Sequence, residues 1–233
     1  MDPRHLFLDE RLRKLCVYCG AEPDTHDHVP SKVLLDEPFP PQLPVVNACE
    51  RCNSSFSLHE QFLACFLECV LVGTTELSAI RRDKIRRILT ENPSLVTRIS
   101  ASRRDDGMGN LLWQTDDDRI RKVMLKLARG HVAYELYPKL EEPRELVVVP
   151  LPSLTELERT AFEDTHISDA SVWAELGNRS FLRAAGKKPD QFERVGDWIV
   201  VQPGRYRYAV VETGGPLVRL VLSEYLACQV VWE

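Results

Sequence analysis

Two cysteine pairs, Cys16-Val-Tyr-Cys19 and Cys49-Glu-Arg-Cys52, stand 29 residues apart in a chain of 233. Thiolates at CxxC spacing grip a metal from one turn of backbone, and in a reducing compartment a tetrahedral zinc site accounts for them better than two disulfides. Gly20 and Asn53 follow the two pairs and tolerate the tight turns of a zinc knuckle. Between the pairs lies Thr25-His-Asp-His-Val-Pro30. Two imidazoles and a carboxylate in three positions are costly to gather unless they bind a metal or move a proton. Beyond the second pair come Asn53 and, about two turns further on, His59 and Glu60. Zinc at the four cysteines would draw the His/Asp cluster toward Asn53, shaping a site without reacting in it. Cys65 and Cys69 fall on an apolar helix face and read as core.

These groups must be positioned by elements that the hydrophobic pattern outlines. From Asn53, the residues Phe56, Phe62, Leu63, Phe66, Cys69 and Val70 recur at three- and four-residue steps, one buried face of a helix. Further helices are expected over Thr75–Thr90, ending before Asn92-Pro93, and over Asp117–Tyr137, ending at Pro138, with Ala101–Asn110 as a loop. Glu145–Val149 reads as a buried strand, and Ser153–Glu163 as a helix capped by Ser153 with Glu156 three residues on. Strands over 198–201, 206–211 and 217–222, separated by Pro203-Gly204 and Gly214-Gly215-Pro216, predict an antiparallel meander. If the stretch around Asp27 is extended, His26 and His28 share one face and Asp27 the other. A bulge or a strand end is then needed for Asp27 and His28 to act together.

Length allows one or two domains, and 44% apolar with 28% charged residues marks an ordinary globular composition. The net charge of −5 argues against coating nucleic acid by bulk electrostatics. The charge is segregated, however. Arg81–Arg104 holds eight basic residues against Asp83 and Glu91, and Arg119–His131 holds five with no acid. The segment 141–200 is acidic, with twelve acids against seven bases. Apolar runs are shorter than a bilayer span and no secretory leader is read at the start, so a cytoplasmic location without membrane contact is expected.

Cys16-Val-Tyr-Cys19, Asp27-His28-Val-Pro30 and Cys49-Glu-Arg-Cys52-Asn53 together resemble the HNH endonucleases, over about residues 15 to 70. Pro30 stands two residues after His28 where that pattern has three. The resemblance implies a ββα-metal fold for the first of the three parts into which hydrophobic period and breakers divide this α+β chain. Residues 1–73 would be a ββα-metal nuclease domain with structural zinc at Cys16, Cys19, Cys49 and Cys52. Residues 74–140 would be a helical basic region, and 141–233 an α/β region with an antiparallel sheet. It implies His28 as the base that activates water, with Asp27 and Asn53 as ligands of a catalytic divalent ion, Mg2+ or else Mn2+ or Ni2+. Asn47 matches the middle Asn imperfectly, since the usual position holds Pro44, and it is a candidate for orienting His28. His59 is a candidate metal or phosphate contact.

The activity so implied is metal-dependent hydrolysis of phosphodiester bonds in DNA with low sequence specificity, as in defence or mobile-element nucleases, with RNA left open. Arg121, Lys122, Lys126 and Arg129 would position the backbone without reading bases. Two other classes fit the same residues: a zinc-organised nucleic-acid-binding module without catalysis, and a structural zinc domain serving a protein partner. The C-terminal region carries no chemical motif. It is open to a substrate, a partner or a second copy of the chain, with Trp198, Tyr206, Tyr208 and Trp232 as core aromatics or base-stacking groups.

Overall fold

A computed structural model describes residues 14–105, 111–115, 117–165, 178–212 and 214–233. β1 (Thr25–His28) and β2 (Val45–Ala48) form an antiparallel hairpin with the register Thr25↔Ala48, His26↔Asn47, Asp27↔Val46 and His28↔Val45. α1 (Glu50–Val72) follows at once. It ends at Gly73, whose φ of 71° lets its N–H turn back to the Cys69 and Val70 carbonyls. Phe62 through Cys69 are buried, so the apolar stripe read from the sequence does face the core. By length and composition alone α1 could cross a membrane. Here that apolar stretch is part of the core, and the buried Glu68 lies on it, 3.7 Å from Arg205.

α2 (Asp83–Glu91) starts later than the Thr75 expected. Arg82 donates to the Val33 and Leu35 carbonyls at 3.0 and 2.9 Å, and those tertiary bonds go with extended backbone just before the helix. α3 (Pro93–Ala101) was not anticipated. Asn92-Pro93 reads as a stop, but proline at the first helical position is equally a start. β3 (Arg103–Asp105) falls within the expected loop and pairs with β4 (Leu111–Trp113) just beyond it; residues 106–110 of that loop lie outside the described residues.

α4 (Asp118–Glu135) is capped by Asp117, whose carboxylate accepts from the Arg119 N–H at 2.9 Å. It lies between α1 and a six-stranded antiparallel sheet. The sheet comprises β5 (Glu145–Pro150), β6 (Glu193–Val195), β7 (Trp198–Gln202), β8 (Tyr206–Glu212), β9 (Pro216–Leu222) and β10 (Leu226–Val231), in the order β5-β10-β9-β8-β7-β6. The meander over β7, β8 and β9 agrees with the sequence reading. β5 is an edge strand, not the buried one expected, and its residues range from exposed to half-buried. α5 (Glu156–Glu163) starts with the box Thr155/Glu158, two residues beyond the Ser153/Glu156 pair that fits the same pattern. Its Phe162 helps cover Trp198, Ala209, Val221 and Ala227 on the second sheet face. A short α6 (Arg179–Ala184) precedes β6.

One apolar cluster runs from Cys16 through α1, α2 and α4 to Trp232, so the three stretches distinguished by composition share a core. Several polar groups inside it pair across layers. His131 of α4 is hydrogen-bonded through Nε2 to Tyr206 OH at 2.8 Å and stacks on Tyr208, while Tyr208 OH donates to Glu135 at 2.6 Å. Arg183 of α6 closes that network on Glu135 and Asp190. Trp198, Tyr206, Tyr208 and Trp232 are all buried, which assigns these aromatics to the core and away from any base.

Candidate functional site

The first cysteine pair sits in a tight turn. Gly20, at φ 75°, donates to the Cys16 carbonyl at 2.8 Å, and Cys16 N–H bonds Ala21 O at 2.7 Å. Val17 N–H bonds the Asn47 carbonyl at 3.0 Å, which ties this knuckle to β2. The second pair is set by α1: Cys49 is its N-cap and Cys52 lies in its first turn. The four sulfur atoms thereby come within 4.8 Å of one another, with Cys19 and Cys49 at 3.7 Å. This cluster could hold a metal ion such as zinc. The Ala21 backbone N–H draws the Cys19 thiol down to about 7, whereas burial pushes Cys16 and Cys52 up.

Next to it, β1 runs without a bulge, so its residues alternate between faces. Asp27 is buried, while His26 is exposed and His28 half-buried on the opposite face. Asn47 pairs with His26 and so shares the His28 face as a diagonal neighbour. Asn53 points back to the strand, its Nδ2 3.4 Å from both Thr25 Oγ1 and the His26 carbonyl. Asn53 and the hairpin thus meet, as the cysteine spacing anticipates. Asp27 and His28 do not share a face.

Asp27 instead faces the interior. Its Oδ2 accepts from Tyr18 OH at 2.7 Å and pairs with Lys126 Nζ at 2.7 Å. Lys126 also pairs with Glu60 and donates to Ser31 Oγ at 3.0 Å, while Ser31 donates to Glu60. The Lys126 side chain has no exposed surface, so its placement among backbone-contacting residues is corrected: it lies on the edge of the α4 stripe that turns inward. Arg129 is likewise engaged, by the Leu140 and Glu141 carbonyls and by Glu142 at 2.9 Å. Arg121 and Lys122 are exposed on α4.

His59 stands roughly 120° around α1 from Asn53 and nearly two turns on, at ~100° and 1.5 Å per residue, so the helix does not carry it to His28. Its Nδ1 is buried with no hydrogen-bond partner among the described residues. Burial, then the Lys122 and Arg119 charges, lowers its basicity. Tyr18, Ser31 and Glu60 are the residues that sequence reasoning did not assign. No local pattern joins them, because they converge on Asp27 and Lys126 only in the folded chain. Comparison with family models, with curated proteins and with solved structures finds no match to this chain.

Proposed function

We propose that the chain is a nucleic-acid phosphodiesterase of the HNH endonuclease type, cutting DNA with little sequence selectivity. What supports this reading is the unit in which β1, β2 and α1 follow in order, four sulfurs gather at its base, and Asn53 reaches back to the strand that carries His28. Zinc fits the donor set, since four thiolates suit a closed tetrahedral site, and it would cross-link the knuckle to the start of α1. Four such thiols belong in a reducing compartment, in keeping with a cytoplasmic location.

In this reading His28 takes a proton from water, the water oxygen attacks phosphorus, and the bond to the leaving sugar oxygen breaks. Imidazole suits that task near neutral pH. Asn47 lies on the same face, where it can orient His28, and Asn53 holds the strand to α1. Arg121 and Lys122 offer exposed charge to the backbone. A divalent ion, Mg2+, Mn2+ or Ni2+, would neutralise charge on the phosphate. Asp27 does not fit as its ligand here, because Tyr18 and Lys126 both hold its Oδ2.

The same ion pair favours a second reading, a zinc-organised module that binds nucleic acid without cutting it. Incubation of zinc-loaded protein with supercoiled plasmid and a single-stranded oligonucleotide, with Mg2+, Mn2+ or EDTA, separates the two. Cleavage supports the hydrolase. Binding without cleavage in any metal overturns it.

A further inference from the structure

The Lys126 ammonium is fully buried. An ammonium taken out of water is strongly disfavoured unless each of its donors is met. Here three N–H donors face three acceptors: Asp27 Oδ2 at 2.7 Å, Ser31 Oγ at 3.0 Å and Glu60 Oε1. The Tyr18 and Phe56 rings lie 5.9 and 5.5 Å from the nitrogen, within the range at which an aromatic face attracts a cation. These partners come from the knuckle, β1, the turn after β1 and α1, all closing on one residue of α4.

Two carboxylates with a hydroxyl beside them make the oxygen shell that a hard divalent ion takes. The cation inside this one is an ammonium. We infer that Lys126 is the resident cation of the Asp27–Glu60 shell and a positioning residue for β1. It holds Asp27 inward, on the face away from His28, so Asp27 anchors the strand and does not ligate an ion serving His28. This deepens the hydrolytic reading and rests on it only where cleavage would be the readout.

The test uses the zinc-loaded full chain as wild type, Asp27→Asn, Lys126→Met and the double variant, followed by thermal melting and by calorimetric titration with Mn2+. Asp27→Asn keeps Lys126 paired with Glu60 and should bind Mn2+ as the wild type does. Lys126→Met strands two buried carboxylates and should melt about 10 °C lower. Millimolar Mn2+ should restore part of that loss in Lys126→Met and none of it in the double variant, a response that general damage to packing would not produce. A tenfold or greater loss of Mn2+ affinity in Asp27→Asn, with Lys126 in place, would overturn the inference. So would a Lys126→Met protein that melts with the wild type and ignores Mn2+. If Lys126→Met does not fold, the Asp27→Asn titration decides alone. Absence of cleavage in the wild type would count against the hydrolytic reading and leave these comparisons intact.

Discussion

The Sγ atoms of Cys19 and Cys49 lie 3.7 Å apart, which sets the knuckle before β1 against the N-cap of α1. Without a cross-link there, the start of α1 and the hairpin meet through few polar contacts, among them the two long Asn53 bonds and a Glu50 N–H bond to Asp24 at 2.6 Å. Cys49→Ser should therefore reduce bound zinc from about one per chain to near zero and lower the melting temperature. Metal analysis of the dialysed protein with a parallel melt checks this. Full zinc retention with an unchanged melt would remove the four-cysteine site.

Gly130 of α4 packs directly on Val29. A Cβ at Gly130 would lie 2.6 Å from Val29 Cγ2, and Val29 is fully buried. Gly130→Ala should destabilise by about 1–3 kcal/mol through overpacking, exceeding the gain of about 1 kcal/mol in helix propensity. Adding Val29→Ala should recover part of the loss, so the two changes are non-additive in chemical denaturation. Additive losses would mean that the contact is relieved by local movement.

Burial holds the His131 imidazole well below its usual 6.5, so it stays neutral in the fold. Its neighbours are the Tyr206 hydroxyl and the Tyr208 ring, and Glu135 reaches it only through Tyr208. The unfolded chain takes up a proton near pH 6.5 and the folded chain does not, so stability falls as pH drops below that value. The slope approaches about 1.4 kcal/mol per pH unit. His131→Phe keeps a ring on Tyr208 and removes the titration. Urea denaturation at pH 7 and pH 5.5 should show its acid loss smaller than that of the wild type by about 1 kcal/mol. Equal losses would assign the acid sensitivity elsewhere.

Arg121 and Lys122 are the two expected backbone contacts that remain exposed. Reversing both to Glu should weaken DNA binding similarly for all sequences and reduce the slope of log affinity against log salt by about 2. Fluorescence anisotropy across a salt series reads this, and a loss confined to one sequence would mean base readout.

The sulfur cluster was legible because its ligands come in local pairs, and α1 and α4 because their stripes keep helical period over many turns. The glycine and proline turns after β7 and β8 announced the meander. β10 lies in the stretch that reads as strand-like from Phe192 onward, but its bounds went unmarked since Leu-Ala-Cys-Gln-Val-Val, buried on both sheet faces, does not alternate. Its partner β5 lies far away in sequence, so no local pattern marks the pairing. The orientation of Asp27 was foreseen as a conflict with His28. Its resolution was not, because Lys126 sits at the margin of an apolar stripe and its partners at 27, 31 and 60 converge only in the folded chain.

The hydrolytic account stands most directly on His28. Nicking of supercoiled plasmid by zinc-loaded wild type and by His28→Ala, at equal zinc content and equal melting temperature, measures it. The account predicts cleavage by the wild type and a loss of at least ~100-fold in the variant, the scale of a missing general base. Cleavage at the wild-type rate by His28→Ala, or none by folded wild type with any divalent metal, would contradict it.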